Sequence, residues 1–224
     1  YRTLQSEFKT LQAQINPHFL YNTLESIQSL AKLKGEDQIG DMVYLLGSLL
    51  RDAVGRKGDV VPLREEVNYI SKYLEIQRFM YEDRISVVYE LPETWMDCIV
   101  PKFVLQPLVE NAIVHGIERK PGKGIVRIAS YEEDGALVLE VEDNGVGIDE
   151  AEVERLLKFE ESEDEPKPKH TSVGLRNVQK RVQYLYGGEY GIEIRSRPGE
   201  GTTIRVRLPI RREESGHEED GRSH

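Results

Sequence analysis

The apolar residues of this chain change their spacing at about residue 84. Before it they recur every three or four positions, as on helices that pack together. After it they alternate, as on half-buried strands. The pattern predicts an N-terminal helical region, residues 1–82, followed by an α+β domain, residues 83–210, with helices on one face of a mixed sheet. With 224 residues there is room for one large or two small domains.

In the helical region Leu4, Phe8, Leu11 and Ile15 form a heptad seam, and Leu20, Leu24, Ile27 and Ala31 form a second stripe. The phase slips between them at Pro17, which either kinks one helix or opens a new one capped by Asn16. His18 follows the proline and lies about 200° from Leu20, off the stripe. A lone histidine here is ordinarily a surface side chain, so its interest depends on a partner site elsewhere. After a turn at 34–37, a second helix is predicted over 41–56, with Val43, Leu46, Leu50 and Val54 on one side and Leu45 and Leu49 widening the stripe. A third is predicted over 63–81, with Val67, Ile70 and Leu74 as its core side.

Strands are predicted at 85–91, 125–131, 136–143, 191–196 and 202–208, and helices at 101–117, 149–159 and 174–186. Residues after about 211 read as a polar tail. The net charge of −10 argues against nonspecific nucleic-acid binding. The single Cys98 excludes an internal disulfide and fits a reducing compartment. No apolar run is long enough to cross a membrane, and no signal peptide is visible. The chain begins at Tyr1, and its first heptads read as the continuation of a helix from a longer protein.

Four groups of residues carry candidate chemistry. Asn111 and His115, four apart, share the apolar face of the helix from Pro101. They either hydrogen-bond within the domain or bind a ligand, Asn111 offering its amide oxygen to a phosphate-bridging Mg²⁺. Asp143 continues the inward series Leu137, Leu139, Val141. An inward carboxylate needs a donor, which adenine's amine supplies and guanine's oxygen does not. The loop Asp143 to Gly147, with Gly145 and Gly147, lets backbone approach a ligand, or is simply a tight turn. Gly174 and Leu175 are predicted to start a helix whose free N–H groups suit phosphate, with Arg176, Lys180 and Arg181 either facing it or solvated. Thr202 stands in the inward series of the last strand, in reach of adenine or as an ordinary hairpin threonine.

The segment Leu11 to Leu24, Leu-Gln-Ala-Gln-Ile-Asn-Pro-His-Phe-Leu-Tyr-Asn-Thr-Leu, resembles the acceptor-histidine segment of LytS/YesM-type sensor histidine kinases. Glu110-Asn111-Ala112 resembles the N-box of the ATPase superfamily of histidine kinases, gyrase, Hsp90 and MutL, and Asp143-Asn144-Gly145-Val146-Gly147 its G1 box. Gly174-Leu175 resembles its G-x-G-L motif, and Gly199 to Thr202 its G3 box. The resemblance implies ATP and Mg²⁺ as cofactors, His18 as phosphoacceptor, and Glu110 among the catalytic residues. It places Asn22 where a side chain orients water for dephosphorylation. It implies a homodimer formed through the first two helices, a response regulator as phosphoryl recipient, and the cytoplasmic part of a bacterial plasma-membrane sensor anchored upstream. An ATP lid is expected over 149–173, its acidic run 160–165 projecting outward. Four positions depart from the common pattern. Phe19 follows the histidine where many kinases have an acid, leaving Glu25 as a weak candidate base. Val114 and Pro107 replace a lysine and a second asparagine, and Ser172 replaces the first glycine of G-x-G-L. Phe19 and Val114 also admit an alternative, a nucleotide-binding dimer acting mainly as a regulator phosphatase.

Overall fold

The computed structural model of the chain describes residues 17–55, 58–82, 84–158 and 170–212. The seam from Leu4 to Ile15, the cap at Asn16, the acidic run 160–165 and the tail from residue 213 lie outside them. The chain packs as two compact units, one of residues up to 57 with Ser71–Glu82, the other of Gly58–Ile70 with residues from 83 on. The packing therefore divides the chain three times, after residues 57, 70 and 82, where the sequence gives one boundary after residue 82.

The first unit contains α1 (Pro17–Leu33) and α2 (Asp37–Gly55). The second helix starts four residues before the predicted 41, because Gly35 turns the chain in the left-handed region (φ 76°) and Asp37 favours a helix N-terminus. Tyr21 Oη donates to the Leu50 carbonyl at 3.3 Å. Ala31, Gly40 and Leu49 are buried, whereas Ile27, Leu30, Leu33, Leu46 and Val54 are exposed. The stripes through Ile27, Leu46 and Val54 are thus only partly covered: a two-helix contact covers a narrower face than the apolar pattern offers. Lys72 from the middle of α3 donates to Asp52 (2.8 Å) and Ser48 (2.9 Å) of α2.

In the second unit β1 (Val60–Pro62) runs into α3 (Leu63–Met80) and pairs antiparallel with β3 (Ile99–Pro101). The first N–H groups of α3, which a helix leaves unpaired, reach the Cys98 and Met96 carbonyls at 2.8 and 2.9 Å. Pro101 therefore ends a strand rather than opening a helix. The helix α4 starts at Gln106 and ends at Asn111, and a π-helical turn, Ala112–Ile117, continues it. The remaining strands are β2 (Ile85–Glu90), β4 (Gly124–Glu133), β5 (Ala136–Asp143), β6 (Gly191–Arg197) and β7 (Gly201–Pro209). Between β5 and β6 come α5 (Glu150–Lys158) and α6 (His170–Tyr186). Asp134 and Gly135 both have positive φ, the twist that a two-residue hairpin needs, and set the β4–β5 register.

The sheet order is β2-β4-β5-β7-β6, with β2 parallel to β4 and the other pairs antiparallel. One face carries Val126, Ile128, Leu137, Leu139, Val141, Ile204, Val206 and Leu208, all buried with Leu108, Ile113, Leu175 and Val182 of the helices. On the other face the buried Glu140 accepts hydrogen bonds from Arg127 (2.7 Å), Tyr131 (2.8 Å) and Arg205 (2.7 Å). Those three donors are what make a carboxylate tolerable inside an apolar strand. The α+β sandwich read from the change of period is the fold observed.

Candidate nucleotide site and acceptor histidine

His18 is exposed on the first turn of the described α1. One turn on, Asn22 Nδ2 lies 3.3 Å from His18 Nδ1, the i, i+4 neighbourhood read from the sequence. Phe19, the residue after it, is 66% exposed. Glu25 faces Arg51 of α2 at 3.8 Å, and that engagement removes the support for it as a base.

The nucleotide-site candidates converge around Asp143, the last residue of β5, which is 4% exposed. Its Oδ1 accepts the Gly145 N–H at 2.7 Å, and its carboxylate also accepts the N–H of Thr202 across the β5–β7 ladder. Burial pushes its pKa up to about 6 from 3.8, against the opposing pull of these two donors and of Lys120. Opposite stands Gly116, whose hydrogen faces the carboxylate; a Cβ there would collide with Asp143 Oδ1. The π-turn explains this approach. One extra residue per turn, closed by the Glu118 N–H on the Ile113 carbonyl at 2.8 Å, carries Gly116 onto Asp143. A Cβ at Gly145 would collide with Gly116 backbone, and one at Gly147 (φ 64°) with the Arg197 carbonyl. The close approach that these glycines make is therefore to the protein's own backbone.

Thr202 is 6% exposed, and its Oγ1 lies 2.9 Å from Ser196 Oγ. Ser196 donates its single hydrogen to the Gly201 carbonyl and accepts the Ile148 N–H, each at 2.9 Å. The threonine must then be the donor in their pair, which leaves its oxygen only as an acceptor toward anything else. Lys120 Nζ donates to the Asn144 carbonyl at 2.5 Å, and Asn144 Oδ1 accepts the Ile125 N–H at 2.8 Å, so the first residue of the loop after Asp143 is held by both its backbone and its side chain.

Asn111 is 8% exposed, and no side-chain hydrogen bond of its amide is seen among the described residues. An amide oxygen with accepting capacity to spare is a ligand that an oxygen-seeking cation can use. Glu110, half-buried, is oriented by Gln106 Nε2 donating to its Oε1 at 2.7 Å. His115 lies half-buried on the π-turn, and Val114 beside it is 40% exposed.

Gly174 and Leu175 need correction. Helix α6 starts at His170, so they lie in its second turn, where N–H groups are already used by the helix. Leu175 is fully buried, and a Cβ on Gly174 would lie 3.2 Å from Pro107 Cβ. The glycine serves helix packing, and Pro107 is its counterpart on α4. Arg181 is not facing phosphate either; it donates to the Lys102 carbonyl. Sequence reasoning missed Gly116, Ser196, Lys120 and the buried Glu66 of α3. Only Gly116 carried a signal, since a glycine inside a helical pattern is disfavoured without a packing reason.

Residues 6–85 match the family described as histidine kinase, and residues 98–212 match the histidine kinase-, DNA gyrase B-, and HSP90-like ATPases. Sensor histidine kinase YesM of Bacillus subtilis is 39% identical over 209 residues, 93% of this chain and 34% of that protein. Sensor protein LytS of Bacillus anthracis is 33% identical over 204 residues, 91% of this chain and 34% of that protein. This chain thus spans about a third of the length of these relatives. In fold it is similar to the histidine kinase domain of the blue-light activated kinase of Erythrobacter litoralis, with a TM-score of 0.50 at 17% identity, covering 87% of this chain and 94% of that one. With both family segments in order and relatives matching along nine-tenths of its length, the chain belongs to the LytS/YesM-type sensor histidine kinases.

Proposed function

We propose that the chain binds ATP in its second unit and transfers the γ-phosphoryl group to His18, from which it passes to an aspartate of a response regulator. The observation that carries the reading is Asp143: a buried carboxylate kept in the core at the end of a strand, closed over by Gly116 of the π-turn. Ionised, Asp143 accepts from adenine's amine and rejects guanine's carbonyl. Thr202 Oγ1 adds a second acceptor, directly or through water. Asn111 would hold Mg²⁺ through its amide oxygen, and the cation would neutralise charge on the phosphates. A neutral imidazole nitrogen of His18 attacks the γ-phosphorus in line; the bond to the bridging oxygen breaks, ADP leaves, and the imidazole proton passes to solvent. The exposed apolar residues Ile27, Leu30 and Leu33 of α1 and Leu46 and Val54 of α2 support pairing with a second copy as a homodimer. Membrane attachment would come from sequence upstream; no helix of the described residues is long and apolar enough to cross a membrane.

The test is labelling with γ-labelled ATP and Mg²⁺. Label that is lost in acid, survives base and is absent from His18→Gln supports the kinase; its absence despite ATP binding sinks it. The exposed Phe19 and Val114 favour a second reading, a dimer acting mainly on the phosphorylated regulator. In that case Asn22→Ala abolishes regulator dephosphorylation while wild-type labelling is negligible.

A further inference from the structure

Helix α4 delivers both Glu110 and Asn111, and where it starts is decided by the four residues before it. Within them Phe103 has a φ of 56°, a left-handed backbone that an aromatic residue adopts only when held there. The holding group is Glu66, which is fully buried on α3. Its Oε1 accepts the Phe103 N–H at 2.8 Å and its Oε2 faces the Leu105 N–H at 3.3 Å. One turn further along α3, Tyr69 meets the Phe103 ring edge-on at 5.4 Å. The carbonyl of Lys102 accepts from Arg181 of α6, and its N–H donates to the Asp59 carbonyl at 3.0 Å. A buried carboxylate is a costly way to satisfy two backbone donors that a local polar side chain or water could serve. What it provides is an acceptor-only group, fixed from another helix, that leaves the turn one conformation.

We propose that Glu66 is a positioning residue of the nucleotide site, which sets the start of α4 through the 102–105 turn and so places Asn111 for the metal-bound phosphates. This rests on the reading of Asn111 as the Mg²⁺ ligand. It grades two parts of the site: the base pocket at Asp143 is carried by β5 and closed by Gly116 of the π-turn beyond Asn111, so it depends on the start of α4 less directly than the metal side does. Replacing one carboxylate oxygen by an amide turns an acceptor into a donor facing an N–H, with almost no change in volume.

The experiment is calorimetric titration of ADP, with and without Mg²⁺, into wild type, Glu66→Gln and Asn111→Ala. In wild type Mg²⁺ tightens binding. In Glu66→Gln that gain is expected to fall about tenfold, a misplacement effect, while Mg²⁺-free affinity stays within about twofold. Asn111→Ala should lose the gain as well. A change to the fold alone would weaken both affinities together and overturns the proposal, as does an undiminished Mg²⁺ gain in Glu66→Gln. An undiminished gain in Asn111→Ala overturns the metal reading and the proposal with it. Phe103→Gly added to Glu66→Gln restores the Mg²⁺ gain, because glycine takes the left-handed φ without being held. If Glu66→Gln alone does not melt cooperatively, this double variant carries the test, and its failure to regain the Mg²⁺ dependence overturns the proposal.

Discussion

The two units satisfy their apolar residues to different degrees. In the ATPase unit the inward positions of β5 and β7 are closed off, with Leu137, Leu139, Val206 and Leu208 fully buried. In the helical unit the buried positions of α1 and α2 are Ala31, Gly40 and Leu49, while Leu30 and Leu33 stand 55% and 85% exposed. One unit carries a finished core and the other an apolar face left over. Under the proposed function both conditions have a use: a nucleotide pocket needs a closed core, and an acceptor helix that pairs with a copy needs an open face.

Four substitutions sharpen or break that contrast. Leu139→Ala removes a fully buried side chain from the middle of the sheet and is expected to cost about 2–5 kcal/mol, read from denaturant unfolding of the second unit. Gly116→Ala forces a methyl onto Asp143 Oδ1; it should cost about 1–3 kcal/mol and lower nucleotide affinity by more than tenfold, read by calorimetry. Leu33→Ala should leave that same unfolding transition unchanged while weakening self-association by roughly 1–2 kcal/mol, read by sedimentation across concentration. An equal effect of Leu33→Ala in dilute and concentrated solution would break the contrast. Glu25→Ala removes only an exposed ion pair with Arg51 and should change stability by less than about 0.5 kcal/mol.

Much of this was legible because it is periodic. The strand alternation set the sheet, Asp134-Gly135 set a register, and Asp143 stood out as a carboxylate in an apolar series. The misses are places where tertiary contacts override local pattern. Pro101 reads as a helix start, yet β1 captures it as a strand partner. Gly174 reads as a helix N-terminus, yet it is the gap that lets α6 lie against Pro107. Glu66 lies three after Leu63 and four before Ile70, on the buried face of α3, but a glutamate there reads as a charged surface residue, so the pattern passes over it. The π-turn is invisible to a 3.6-residue pattern, because it adds one residue to a single turn, and it is this turn that brings Gly116 onto Asp143.

Asp143 is where the nucleotide reading and stability oppose each other. Its folded pKa of about 6 lies above the 3.8 of an unfolded aspartate, so the folded chain binds the proton more tightly. Stability of the nucleotide-free protein therefore falls as pH rises from about 4 to 6, and at pH 7 the ionised carboxylate costs roughly 3 kcal/mol. Nucleotide binding needs the ionised form and should weaken below pH 6. The most direct measurement is thus a paired one on Asp143→Asn at pH 7.5, comparing ATP affinity by calorimetry and thermal stability without nucleotide. The expected result is ATP binding lost by at least about a hundredfold together with a protein more stable than wild type. Retained ATP affinity, or lost affinity with a destabilised fold, would contradict Asp143 as a carboxylate held at the expense of stability to read adenine.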